Sequence, residues 1–349
     1  MTRNDASSAM FSRARHVHFV GIGGIGMCGL AELLKAEGVS VSGTDLSEGP
    51  TVERLRGLGI DVQIGHDASR LGDADVLVYS SAVRATNPEI VEAERRKIPV
   101  IPRAEMLAEL MRLKQGIAIA GSHGKTTTTS LVVHILSQTG LDPTAVIGGR
   151  VLGSGDPSTT RRGAGEWLVA EADESDGSFL RLAPVIGVIT NIDPEHLDHY
   201  GDFSRLEDAF TEFVNNLPTS GLAVLCLDHP GVRGILPRLG RRTLTSGFSP
   251  EADLVAQDLG GADPGVRFGV LGKGGLTGEV HLPLPGDHNV LNALASIATA
   301  LELGVPFEEV ARSLADFRGV ERRYQTLGSE AGVTVVDDYA HHPAELRAT

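Results

Sequence analysis

The 349-residue sequence has little cysteine, lysine or aromatic content. Its two cysteines, Cys28 and Cys226, form no CxxC pair, so neither a disulfide framework nor a cysteine metal site is expected. Aromatic residues make up 4%, too few for a platform on which nucleic-acid bases stack. Positive charge is also scarce. The formal net charge is −14, which argues against the basic footprint that nucleic acid or an anionic membrane requires. No apolar run approaches 18 residues, and Met1 to Arg15 is polar, without the apolar centre of a secretory signal. These absences predict a cytoplasmic protein without membrane insertion and without a nucleic-acid partner.

What is abundant is glycine, 43 residues, on a background of 41% hydrophobic and 22% charged residues. This is the composition of a globular α/β chain with glycine-rich turns, and the length suggests two or three domains. Short apolar strands alternate with helical segments from His16 onward, the pattern of a parallel sheet. The reading gives an N-terminal Rossmann-like parallel-sheet domain over 1–111. A phosphate-loop ATPase-type α/β domain with an antiparallel extension (Leu244 to Leu284) then spans 112–320. A third Rossmann-like domain is only begun over 321–349: a strand at Val333–Asp337, a helix start at Pro343, and an end in mid-helix that reads as a fragment.

Two glycine loops carry the chemistry. Gly21-Ile-Gly-Gly-Ile-Gly26 fits G-x-G-x-x-G, follows a strand, opens a helix, and is answered by Asp45 at the end of the next strand. Glycines let backbone approach a diphosphate, and the helix start offers unpaired N–H groups. The motif does not specify the nucleotide; taken alone it would also suit a nicotinamide dehydrogenase. Gly121-Ser-His-Gly-Lys-Thr126 is a second strand-to-helix loop, shorter than G-x-x-x-x-G-K-[ST] because Ile119 stands where that pattern begins with glycine. Lys125, one of only five lysines, would reach the outer phosphates and Thr126 would ligate Mg²⁺. A triphosphate loop beside a diphosphate loop makes a simple dehydrogenase awkward. Further on, the apolar strand Trp167–Ala170 delivers Glu171-Ala-Asp-Glu-Ser-Asp176, an acidic segment suited to Mg²⁺. A second buried strand delivers Thr190-Asn-Ile-Asp-Pro-Glu-His196 to the same sheet edge, where a histidine can ligate metal or meet phosphate.

With those four segments, Gly286-Asp-His-Asn-Val-Leu-Asn292, Gly319-Val-Glu-Arg-Arg-Tyr-Gln325 and Val335-Val-Asp-Asp-Tyr-Ala-His-His-Pro343, the whole chain resembles the Mur ligase family. The resemblance implies an ATP-dependent amide-forming ligase of peptidoglycan precursor synthesis, with UDP-sugar bound by the first domain, ATP by the second, and the amino acid by a third. Its implied partners are UDP-N-acetylmuramic acid and L-alanine, with ATP and Mg²⁺ (or Mn²⁺) as cofactors, in a monomer or weak homodimer. By motif matching, Gly21, Gly23, Gly24, Gly26, Met27 and Asp45 bind the UDP substrate. Gly121, Ser122, His123, Gly124, Lys125, Thr126, Thr127, His288, Asn289, Asn292, Arg323 and Asp337 bind ATP. Thr126, Glu171 and His196 hold metal; Lys125, Glu171 and His196 are the catalytic set; Tyr339 lies near the incoming amino acid. Two departures stand out. Ser122 replaces the family's usual threonine. The carbamylated lysine of several relatives maps near Phe210, and no lysine lies between 125 and 273, as in the alanine-adding branch. Ser175 and Gly177-Ser-Phe favour that branch over the one that attaches a tripeptide to the same sugar nucleotide. With most of the third domain missing, the chain by itself is expected to be inactive.

Overall fold

Five parallel strands line up as Asp61–Ile64, Ser40–Asp45, His16–Val20, Val76–Tyr79 and Val100–Pro102. The first strand in sequence is therefore central, and the chain winds outward from it in both directions, as a doubly wound sheet does. This is the first of two compact units in a computed structural model that describes residues 14–80, 82–152, 159–262, 264–273, 275 and 277–349. The first unit reaches Lys114 and includes a short later segment ending at Arg162; the second starts at Gln115 and continues from Gly163 to Thr349.

In the first unit Val17, Phe19 and Val20 are fully buried, so the central strand is covered on both faces, as parallel strands are, with the buried His18 on the same face as Val20. Helix Ile25–Ala36 follows it, starting at Gly24, which offers no side-chain cap. Helix Pro88–Arg95 begins with Asn87 accepting a hydrogen bond from Glu89 N–H and Pro88 in the first turn, both strong start signals. Two further helices belong to this unit. Pro50–Gly57 is mostly polar and buries only Val52 and Leu55, and Arg103–Arg112 starts directly from Pro102 without a capping side chain.

The second unit holds one mixed sheet. From one edge its strands are Thr277–Leu282, Val266–Gly272, Leu254–Gly261, Arg242–Gly247, Leu222–Cys226, Ile186–Ile189, Gln115–Ala120, Trp167–Glu171 and Thr144–Val146. Only the first three are mutually antiparallel. Arg242–Gly247, expected within the antiparallel extension, pairs in parallel with Leu222–Cys226. Helices Lys125–Gln138 and Asp287–Glu302 pack against each other. Phe210, on the inner face of helix Phe203–Asn215, is fully buried and packs edge-on against Phe179. A lysine has no room there without displacing aromatic packing. Residues 321–349 fall within this unit. They begin a largely exposed hairpin, Gln325–Glu330 with Val333–Asp337, and end in helix Pro343–Ala348.

Candidate active site

Three adjacent parallel strands, Trp167–Glu171, Gln115–Ala120 and Ile186–Ile189, end at one edge of the second sheet. Each delivers one of the chemistry-bearing segments there. After Ala120 the chain turns through Gly121 (φ +130°) and Gly124 (φ +79°). A Cβ on Gly121 would lie 2.1 Å from Thr190 Oγ1, and one on Gly124 2.5 Å from Asn292 Oδ1, so both positions exclude larger residues by conformation and by contact. Asn191 fixes the loop from the neighbouring strand end, its Oδ1 accepting from His123 N–H at 2.7 Å. Thr190 Oγ1 donates to His123 O at 2.6 Å.

Lys125 Nζ donates to Gly121 O at 2.6 Å and lies 2.9 Å from both carboxylate oxygens of Glu174. Thr126 Oγ1 donates to Glu171 Oε2 at 3.3 Å, and Glu171 Oε1 accepts from Gly148 N–H at 2.6 Å. Burial pushes both Glu171 and Glu174 above the usual carboxylate range, with Lys125 pulling each back. Beneath them burial, then the charge of Glu174, drives the Tyr200 phenol up to about 12, and its hydroxyl donates to Glu174 O at 2.5 Å. His196 sits in the left-handed region (φ +55°) with Nε2 3.9 Å from Glu174 Oε1. Ligand atoms of Glu174, Glu195 and His196 lie within 4.8 Å of one another.

Beside the loop opens a cavity of about 310 Å³. Of the expected residues, His123, Gly124, Thr127, His288, Asn289, Asn292 and Arg323 line it. Asp337 does not. Its carboxylate is 3.9 Å from Arg322, and Asp338 takes the place at the wall. Tyr339 lies under the guanidinium groups of Arg322 and Arg323, at 4.6 and 5.6 Å from its ring centre. Ser122 Oγ accepts from Asp193 N–H at 2.9 Å. Among the residues of this region that sequence reading did not single out are Glu174, Asp193, Asp228 and His229. Asp228 and His229 follow the buried strand Leu222–Cys226 after one residue, Leu227, a strand-to-acid signal like the one that marked Glu171. Burial holds the His229 and His288 imidazoles below their ordinary range.

In the first unit, Gly21 (φ +79°) and Gly23 form the bend, and Asp45 Oδ2 accepts from Gly23 N–H at 2.8 Å. Gly21, Gly23, Gly24 and Asp45 line a cavity of about 400 Å³. Gly26 and Met27 do not. A Cβ on Gly26 would meet the Arg103 side chain at 3.0 Å, and Met27 is buried in the core.

Residues 16–115 match the Mur ligase family catalytic domain and residues 119–300 the Mur ligase middle domain. The UDP-N-acetylmuramate–L-alanine ligase of Sorangium cellulosum is 57% identical over 337 residues, 97% of this chain and 71% of that protein. The ligase of the same name from Syntrophotalea carbinolica is 52% identical, over 97% of this chain and 74% of that protein. Among solved structures, the UDP-N-acetylmuramate-alanine ligase of Thermotoga maritima superposes with a TM-score of 0.82 at 33% identity, covering 95% of this chain and 76% of its own. A murein peptide ligase from Psychrobacter arcticus reaches the same TM-score at 26% identity, covering 95% and 74%. The chain belongs to the Mur ligase family.

Proposed function

We propose that this chain joins L-alanine to the lactyl carboxylate of UDP-N-acetylmuramic acid at the expense of ATP, in the synthesis of peptidoglycan precursors. The observation that carries the reading is the phosphate loop whose Lys125 and Thr126 meet two desolvated carboxylates, Glu174 and Glu171, in a chain 57% identical to a ligase of that name. The first unit takes the UDP substrate at Gly21, Gly23, Gly24 and Asp45, while Gly26 and Met27 shape the helix behind them. The second takes ATP, its phosphates on residues 121–127 and its base near His288, Asn289 and Asn292. Arg323 and Asp338, both on the cavity wall, act at the nucleotide's outer edge, and Tyr339 near the amino acid.

The donor set fits Mg²⁺, with Mn²⁺ as an alternative: the hydroxyl of Thr126 and carboxylate of Glu171 already lie within hydrogen-bond distance, and His196 stands beside a second carboxylate. When bound, the metal neutralises phosphate charge. The chain's own part is positional and electrostatic. A carboxylate oxygen of the sugar attacks the γ-phosphorus, the bond to the ADP oxygen breaks, and an acyl phosphate forms. The free amine of alanine then attacks the acyl carbon, expels inorganic phosphate, and loses a proton to give the amide. Two anions must meet in the first step. The Lys125 ammonium and the loop N–H groups offset that repulsion.

The same TM-score for a murein peptide ligase keeps a tripeptide-adding reading in view, since the fold does not separate the branches. Phosphate release from Mg-ATP, measured on the protein as its organism makes it, tests both. Release that requires UDP-N-acetylmuramic acid together with L-alanine is the expected result. Release that requires the tripeptide instead would overturn the alanine assignment, and release indifferent to any amine would overturn the ligase.

A further inference from the structure

Behind the first glycine loop a polar chain is buried inside the sheet. Glu89 and Thr44 are fully inaccessible and His18 nearly so. Glu89 Oε2 lies 2.7 Å from His18 Nε2, Glu89 Oε1 lies 3.0 Å from His66 Nδ1, and Thr44 Oγ1 donates to the same carboxylate at 2.9 and 3.0 Å. A buried carboxylate is held in place only by donors. The one hydroxyl proton of Thr44 is spent on Glu89, so at 2.9 Å from His66 Nδ1 its oxygen can only accept. Nδ1 of His66 therefore carries the proton, shared between Glu89 and Thr44, and in the neutral ring Nε2 on the opposite edge keeps its lone pair. His66 lines the 400 Å³ cavity with Gly23 and Asp45.

Asp45 is a poorer acceptor than it looks. One of its oxygens takes Gly23 N–H and the other Leu46 N–H, both at 2.8 Å. His66 follows strand Asp61–Ile64, one strand farther from the glycine loop than Asp45. On a doubly wound sheet the diphosphate sits at the loop of the central strand and the nucleoside extends along the neighbouring strand ends. We propose that Glu89 is a positioning residue for the nucleoside of the sugar nucleotide: by holding Nδ1–H of His66 it turns Nε2 toward the cavity as an acceptor for the base N3–H or the ribose 2′-hydroxyl. The inference rests on the reading of this cavity as the UDP site.

Calorimetric binding of UDP to the wild type, Glu89→Gln, His66→Gln and the double variant tests it, with ATP binding as the control. Each single change is expected to weaken UDP binding about tenfold, the scale of one lost hydrogen bond to a buried partner. The double variant should be no weaker than either single, because both remove the same contact. N3-methyl-UDP and 2′-deoxy-UDP locate the donor: the analogue that lacks it binds the wild type and His66→Gln alike. Undiminished binding by Glu89→Gln, multiplicative losses in the double variant, or analogues that both still discriminate His66→Gln overturn the proposal. If Glu89→Gln does not fold, the nitrogen-15 spectrum of His66 in the wild type decides, and a proton on Nε2 with a bare Nδ1 overturns it. A wild type that binds ATP but no UDP removes the reading of the site itself, a separate result.

Discussion

The ammonium of Lys125 lies 2.9 Å from each carboxylate oxygen of Glu174, whose side chain is 1% exposed. A symmetrical pair this well buried is costly to break from one side, because the remaining charge is stranded out of water. Lys125→Met is therefore expected to destabilise the fold by about 3 kcal/mol and to lower kcat by on the order of 100-fold or more. Adding Glu174→Gln should restore most of the stability and none of the rate. Urea unfolding beside turnover measures both; a double variant as unstable as the single would mean that the pair is not where the stability lies.

Glu171 gives the opposite balance of stability and activity. Burial raises its pKa above the ordinary 4.5, so between those values the folded protein binds more protons than the unfolded chain. Stability then falls as pH rises through that window. Glu171→Gln, which removes the charge and keeps an acceptor for Gly148 N–H, should raise the thermal midpoint at pH 7 to 8. The difference should vanish below about pH 4, and turnover should be lost at every pH. A midpoint difference independent of pH would contradict this account.

The buried imidazoles of His229 and His288 act on the acid side. Burial lowers both below the ordinary 6.5, so the unfolded chain takes up protons first as pH falls past that value. Stability that is complete above 6.5 is lost as pH drops through the folded-state values. Replacing both with glutamine should flatten the decline in unfolding free energy between neutral and mildly acidic pH. A decline as steep as that of the wild type would exclude them as its source.

Gly124→Ala tests the loop itself. The added Cβ would stand 2.5 Å from Asn292 Oδ1 at a φ of +79°, so loop and helix must both move. The expected cost is about 1–3 kcal/mol of stability, with ATP affinity lowered at least tenfold and UDP binding unchanged. Parallel titrations of the two nucleotides check it, and equal losses for both would point to general unfolding.

Much of this was legible in the sequence because glycine loops between strand and helix are defined by short-range geometry. The two loops, the acids at strand ends and the central strand of each sheet follow from spacing and apolar runs. Pairings across the sheet do not. Nothing near Glu174 marks it as the partner of a lysine 49 positions earlier, and only the adjacency of the two strands creates that contact. Asp338 rather than Asp337 faces the cavity because the hairpin's register decides which acid points inward, and the valines of Val333–Asp337 are exposed on both faces, so they carry no signal of that register. The polar chain through Glu89 was hidden for a similar reason. A glutamate in the first turn of a helix looks like ordinary N-terminal charge until the sheet beneath brings two histidines to it.

The hydrogen bonds of Thr190 and Asn191 to His123, with Thr190 crowding Gly121, mean that the shape of the proposed phosphate loop is set when the sheet assembles. Ordering entropy is spent in folding and not again at each turnover. In heredity, a change at position 190 or 191 is then a change to the loop in all but address. Two proteins with identical loop letters can grip a phosphate differently because a strand 67 residues downstream holds the loop at another tension.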